Sequence, residues 1–188
     1  MNKFTTLITT ALLALPITAQ AITFQFNAGL NGASEVPSSG ASATGVATLF
    51  YDDNNSVLTT DDSYSFSLGV FGLSGVASGM HIHTAPAGVN GPIVVNLAVS
   101  PFSVLNSGGT LLIGGTNVLP PSASFLGQLQ SGLAYINIHT ALNPTGEIRG
   151  QLIQVSAVPE PSTYTMLLAG LGLIGLLARR RSKTSANQ

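Results

Sequence analysis

The feature that most constrains the fold is a two-residue apolar alternation in the middle of the chain. Apolar side chains occupy every second position over residues 22–30 and again over residues 64–70, with polar residues or glycine between them. Successive side chains of a strand point to opposite faces of a sheet, so this period predicts β-strands with one buried face. Strand–helix–strand alternation is absent from the sequence pattern, which argues against a parallel sheet.

The remaining central segments extend this pattern. Further strands are predicted at residues 46–51, 57–58, 76–83, 93–97, 111–113, 133–140 and 147–155, and one short helix within residues 120–130. The turn cluster at residues 52–55 joins its flanking strands as a hairpin. Many short strands separated by turns rich in Gly, Ser, Thr and Asn predict an all-β fold, an antiparallel β-sandwich or a Greek-key barrel.

The N-terminal residues have the features of a secretion signal. Lys3 precedes a short apolar stretch over residues 7–17, and Ala19 and Ala21 form a small-residue cleavage site. The stretch is too short to span a bilayer, and a buried first strand or helix is the alternative. We expect a signal peptide at residues 1–21, removed by signal peptidase, and a mature β domain at residues 22–157.

The C-terminal residues 158–188 form a tail with three parts. In order these are Pro159-Glu160-Pro161, an apolar segment over residues 164–178, and Arg179-Arg180-Arg181 followed by Lys183. The apolar part is shorter than the ~20 residues of a usual membrane helix, but the adjacent arginines would stay cytoplasmic and leave the domain outside. A buried C-terminal helix is the alternative, and it explains neither the arginines nor the lack of a polar face.

This tail resembles the PEP-CTERM sorting signal. The resemblance implies export across the inner membrane, a hydrophobic helix that anchors the protein only transiently, and processing by an exosortase. It also implies a Gram-negative bacterium that makes exopolysaccharide and forms biofilm. The protein is then expected at the cell surface or released, with an exopolysaccharide or a matrix protein as a partner.

The charge of the central domain excludes one class of function. Residues 22–158 contain six acidic side chains and one basic side chain, so their formal net charge is −5. A domain with one cation cannot bind nucleic acid by neutralising phosphates. The chain contains no cysteine, so its core must be held by packing rather than by disulfides.

The three histidines are the candidate metal ligands. His81 and His83 flank Ile82, and strand period places both on one face; His139 lies on a second predicted strand, on the face opposite Ile138. If the two strands are neighbours, the three imidazoles come close enough to share Cu²⁺ or Zn²⁺. The alternative is three polar rings on a half-exposed sheet that bond locally. The sequence identifies no fourth ligand.

Arg149 is the lone base of the domain and a candidate ion-pair member. It lies two residues after Glu147 on a predicted strand, and Glu35 is the other carboxylate that it could pair with across the fold. A structural ion pair with Glu35 or Glu147 is the simpler interpretation. A catalytic or anion-binding arginine is the alternative.

Ordered blocks across the domain resemble the CHRD domain family. They are Glu35-Val36-Pro37, His81-Ile82-His83 with Gly91-Pro92-Ile93-Val94, residues 135–140, and residues 146–152. The resemblance implies extracellular residence and a β-sandwich, and it implies no bacterial activity. Growth-factor binding, known from the animal members, does not transfer to a protein with a bacterial sorting tail.

Two hypotheses for function follow. The first is a non-enzymatic, exosortase-sorted binding or matrix protein outside the cell, adhesion being one form of it. The second is a copper or zinc protein, whose histidine order is similar to that of copper/zinc superoxide dismutases. In that analogy Arg149 guides an anionic substrate, but a fourth histidine, a zinc-site loop and a disulfide are missing. No catalytic residue is assigned, because the sequence supports no nucleophilic triad.

Overall fold

The computed structural model describes residues 22–54, 61–155 and 166–175. Residues 22–54 and 61–155 form ten β-strands and a short helix, α1 (Phe125–Gln130). The strands are β1 (Thr23–Asn31), β2 (Thr44–Asp52), β3 (Ser63–Phe71), β4 (Ala77–Thr84), β5 (Ile93–Asn96), β6 (Ser103–Ser107), β7 (Thr110–Val118), β8 (Ala134–Thr140), β9 (Ile148–Gln151) and β10 (Ile153–Val155). A 3₁₀ turn, Gly32–Ser34, follows β1.

The described strands belong to one antiparallel sheet that curls into a half-barrel. Their order is β5-β4-β8-β9-β1-β2-β3-β7-β6, and β10 also pairs with β1. The prediction of an all-β antiparallel fold is therefore confirmed. The order places β4 and β8, which carry the histidines, side by side and on the opposite side of β1 from β2, β3 and β7.

The alternating apolar residues form the inner face of this sheet. Phe26, Leu49 and Ile136 are completely buried, and burial of each such side chain contributes about 1.5–3 kcal/mol. Helix α1 closes the core, because its Phe125 ring packs 5.5 Å from the Tyr64 ring. The hydrophobic period of the sequence thus determines which face of each strand is buried.

The predicted elements differ from the observed ones in a few places. Strand β2 pairs with β3, with Tyr51 opposite Tyr64, whereas the predicted hairpin joined residues 46–51 to a strand at residues 57–58. The strand predicted at residues 147–155 divides into β9 and β10 at Leu152, whose N–H donates to the Ala134 carbonyl. Strand β6 was not predicted, because its five residues show no apolar period. The strand predicted at residues 57–58 lies outside the described residues.

The tail is described in part. Residues 166–175 are helical and exposed, within the apolar segment identified from the sequence. Among the described residues, no helix combines the length and the apolar character needed to cross a membrane. The predicted signal peptide, the Pro-Glu-Pro sequence and the arginine cluster lie outside the described residues.

Candidate metal centre

Strands β4 and β8 bring the three histidines to one face of the sheet. Their antiparallel register places Gly79 opposite His139 and His81 opposite Asn137. His81 and His139 are therefore diagonal neighbours across the strand pair. The intervening isoleucines, Ile82 and Ile138, are fully buried in the core on the other face. The imidazoles consequently project away from the core, as the strand period predicts.

The histidine rings converge around the glycine. Each histidine offers a ring nitrogen, and these nitrogen atoms lie within 4.8 Å of one another. A Cβ atom at Gly79 would lie 3.1 Å from Cε1 of His81 and 3.2 Å from Cδ2 of His139. Three nitrogens that bind one ion at about 2.0–2.1 Å lie about 3.3–3.6 Å apart. Side-chain rotations that bring the ring nitrogens closer by about an ångström would therefore close the group around one ion.

Two backbone carbonyls fix the orientation of two of the rings. Nδ1 of His83 donates to the Gly91 carbonyl over 2.9 Å, and Nδ1 of His139 donates to the Pro144 carbonyl over 3.1 Å. A carbonyl can only accept, so Nδ1 carries the proton and Nε2 keeps its lone pair. Both Nε2 atoms and Nδ1 of His81 are buried without a partner among the described residues. This is the orientation that metal-binding histidines take.

Electrostatics keeps the three imidazoles neutral. Burial lowers the pKa of His81, His83 and His139 below their usual value. The neighbouring His139 lowers the pKa of His81 and of His83 further. At neutral pH the group is thus in the unprotonated form that binds metals.

A layer of contacts behind His83 holds its carbonyl partner in place. The His83 ring stacks on Tyr135, with ring centroids 4.9 Å apart and planes inclined by 11°. The Gly91 N–H donates to the Tyr135 hydroxyl over 3.0 Å. Because β8 lies between β4 and β9, Arg149 approaches Tyr135 from the side opposite His83, with its guanidinium carbon 3.5 Å from the ring centroid. Tyr135 therefore links Arg149 to the histidine group.

Arg149 anchors the loop that carries Gly91. Its guanidinium is buried and donates to Asn90 Oδ1 over 3.0 Å and to the Val89 carbonyl over 2.6 Å. A Cβ atom at Gly91 would meet the Thr84 carbonyl oxygen, so the loop packs too closely against β4 for another residue there. The arginine thus fixes the backbone that orients His83.

The two candidate carboxylates occupy different surroundings. Glu147 accepts hydrogen bonds from Ser74 and Thr140; burial acts to raise its pKa, but these bonds hold the pKa below its usual value. Burial raises the pKa of Glu35, and the positive charge of the nearby Arg149 offsets part of that rise. The hydrogen bonds of the Arg149 guanidinium go to neutral oxygens of the 86–90 loop. An ion pair of Arg149 with either glutamate stays a prediction.

Glu35 has an unusual proton affinity. Its side chain is 6% exposed, and burial raises its pKa from 4.5 to about 7. The folded state therefore binds the proton more tightly than the unfolded state. The resulting stability is complete below pH 4.5 and is lost as the pH rises through 7.

Replacing Glu35 with glutamine is expected to remove this pH dependence. The pKa shift of Glu35 corresponds to about 3 kcal/mol, and residual solvent contact reduces this to about 2 kcal/mol. The unfolding free energy of Glu35→Gln minus that of the natural chain should therefore rise by about 2 kcal/mol from pH 4 to pH 8. Denaturant unfolding of both proteins across this range measures the difference. A constant difference would show that the pKa of Glu35 does not change on folding.

The histidines line a shallow cleft on the sheet face. The cleft has a volume of about 270 Å³, and Ser78, Ile93 and Pro144 complete its walls. His83, which is 8% exposed, lies deeper than His81 and His139, which are half-buried. An ion held there would have protein on one side and solvent on the other.

The fold and this cluster define an all-β protein with three convergent histidines on its sheet. A family model for the CHRD domain matches residues 26–152, more than half of the 188-residue chain. The chain belongs to the CHRD family. A model of the PEP-CTERM protein-sorting motif matches residues 157–181, which include Pro159 and Arg181. Comparison with curated proteins and with solved structures gave no match.

The sorting motif gives the route that the protein takes. A PEP-CTERM motif implies export, a transient stay in the membrane and processing by an exosortase. The protein is therefore an exosortase-sorted extracellular protein with a CHRD domain.

Several residues of the site were not identified from the sequence. Gly79 and Tyr135 shape the histidine group through strand pairing, which a single sequence does not reveal. Pro144 could have been suspected from its turn sequence. It lies five residues after His139, and its carbonyl accepts a hydrogen bond from the His139 ring. Gly91 and Tyr135 appeared in blocks of the CHRD resemblance, without a role beside the histidines.

Proposed function

We propose that the exported CHRD domain is a non-enzymatic binding module that holds one Cu²⁺ or Zn²⁺ ion through His81, His83 and His139. The observation that carries the proposal is the convergence of three unpartnered imidazole nitrogens, two of them on rings oriented by backbone carbonyls. Neutral imidazoles are ligands that both ions favour.

The composition of the group narrows the choice of ion. Within the described residues the cluster is formed by histidines, without a carboxylate, and the chain has no cysteine. Ca²⁺ and Mg²⁺ prefer oxygen ligands, so they do not suit the group. Three protein ligands would leave a coordination position facing the cleft, where water or a small ligand completes the shell.

The surroundings of Arg149 favour binding over dismutase-like chemistry. Guidance of an anionic substrate requires a guanidinium that solvent reaches. Arg149 is 2% exposed and lies between the Tyr135 ring and the 86–90 loop. Its contacts support a structural role.

We also propose where the module acts. The mature protein begins at Ile22 and ends near Pro159 to Pro161 after signal peptidase and exosortase have removed the ends, and it is retained in or near the matrix of a Gram-negative biofilm. A matrix protein or an exopolysaccharide is its partner there. The sorting motif supports this placement. Co-purification of the protein with isolated matrix, lost when Pro159-Glu160-Pro161 is replaced by alanines, tests the proposal; retention without the motif would contradict it.

The substitution Gly79→Val tests the metal site without removing a ligand. The added side chain would occupy the space between His81 and His139, so the rings could not close on an ion. We expect about tenfold weaker Cu²⁺ and Zn²⁺ binding in competition titrations with a chromogenic chelator. Gly29→Val on β1 is the matched control, because a Cβ atom at Gly29 meets no atom within 4 Å. Equal affinities of the two variants would contradict the site.

A further inference from the structure

Another cleft lies away from the histidines, on the outer face of the sheet. It has a volume of about 520 Å³, within the range of small-ligand sites. The cleft is lined by short hydroxyl side chains, glycines, a proline and two phenyl rings, and strands β2, β3, β6 and β7 contribute most of them. We propose that this cleft binds an extended, neutral polysaccharide chain.

The strand register arranges the hydroxyl groups in a line across the sheet. Thr48 lies opposite Ser67, Ser67 opposite Gly114, and Gly114 opposite Ser103. Neighbouring strands are ~4.8 Å apart, so this row is ~14 Å long and its spacing is close to the length of one sugar unit. Three of its four positions carry a hydroxyl side chain, and Gly114 leaves the remaining position open. A linear polysaccharide can thus lie across the strands with about one sugar on each strand.

The second row of the cleft adds an apolar platform. Phe50 lies opposite Ser65, and its ring is 45% exposed. Sugars present C–H groups on their ring faces and hydroxyls at their edges, so an exposed phenyl ring beside hydroxyls matches both kinds of surface. Within the described part of the chain, the hydroxyls of Thr48, Ser65 and Ser67 lack a hydrogen-bond partner and are available to a ligand.

The backbone leaves room for the ligand. A Cβ atom at Gly114 would meet nothing within 4 Å, so the floor of the cleft is open there. At Gly115, which also lines the cleft, a Cβ atom would lie 2.7 Å from the Phe102 ring. Strand β7 carries a bulge beside the cleft, where Asn117 has a φ of 52°. Bulges of this kind bend a strand next to binding sites.

The charges favour a neutral ligand. The residues that line the cleft include no ionisable side chain. Residues 22–158 have a formal net charge of −5, which repels a polyanion. The cleft stands independently of the histidine group, since the two sites share no lining residue.

The test uses the full chain in a detergent without a sugar headgroup. Neutral oligosaccharides of glucose, galactose and mannose, one to six units long, are titrated calorimetrically at millimolar concentration. We expect at least one series to bind, with an affinity that increases up to about four units, the length of the row. Failure of every series, or equal binding of an anionic uronate hexamer, would overturn the proposal.

Two variants test whether the oligosaccharide binds in the outer cleft. Gly114→Leu fills the floor and Phe50→Ala removes the platform, and each should weaken hexasaccharide binding at least about tenfold. Gly29→Leu and Phe71→Ala are the matched controls, because Gly29 is open and Phe71, 58% exposed, lies outside the cleft. Binding that is lost equally in the controls, or retained in both cleft variants, would overturn the assignment. Metal affinity of these variants should be unchanged.

Discussion

Replacing His139 with alanine is expected to weaken Cu²⁺ and Zn²⁺ binding about a hundredfold or more. Zinc sites with four ligands bind with about 10–16 kcal/mol, or about 3 kcal/mol per ligand, and each 1.4 kcal/mol is a factor of ten. The loss should be larger than that of any variant that leaves the three imidazoles in place. Competition titration of the full chain against a chelator of known affinity measures it.

The control for this substitution lies in the same cleft. Ser78 lines the cleft with the histidines, so Ser78→Ala alters the wall without removing an imidazole. It should keep the affinity of the natural chain. Thermal unfolding without metal should confirm that His139→Ala is folded, since this side chain is half-buried and projects away from the core. A folded His139→Ala protein with undiminished affinity would exclude His139 as a ligand.

Replacing Arg149 with methionine is expected to lower the unfolding free energy by about 3–5 kcal/mol. Each buried acceptor that loses its donor costs about 1–3 kcal/mol, and this substitution affects at least two acceptors. The substitution leaves the Val89 carbonyl and Asn90 Oδ1 without their donor. It also removes the cation from the Tyr135 ring and the charge that lowers the pKa of Glu35. Denaturant unfolding at neutral pH measures the change.

Arg149→Lys separates the charge from the shape of the side chain. Lysine keeps a positive charge near Glu35 but cannot reproduce the planar fork that reaches several acceptors. We expect its stability to lie between those of the natural chain and Arg149→Met. If Arg149→Met loses less than about 1 kcal/mol, the loop contacts of Arg149 contribute little net stability.

The strands were predictable where the apolar period is regular. Phe26 and Tyr64 belong to long alternating runs, and both side chains are buried as the period requires. Strand β6 was not predictable, because Ser103–Ser107 has adjacent apolar residues and forms a strand only by pairing with β7. The order of the strands also follows from long-range pairing that the sequence does not display.

The same limit applies to the two sites. The shared face of His81 and His83 follows from strand period, but the approach of His139 depends on the β4–β8 register. The partners of Arg149 come from a loop some sixty residues earlier in the chain. The row of hydroxyls in the outer cleft exists only because β3 lies between β2 and β7. Local pattern identified the candidate ligands, whereas tertiary pairing assembled them.

The most direct test of the account is the metal content of the purified full chain. The protein is offered Cu²⁺ and Zn²⁺, washed, and analysed by mass spectrometry beside the double variant His81→Ala/His139→Ala. The account predicts close to one ion per chain in the natural protein and background in the variant. Metal at the level of the variant, or equal retention in both proteins, would contradict a histidine metal site.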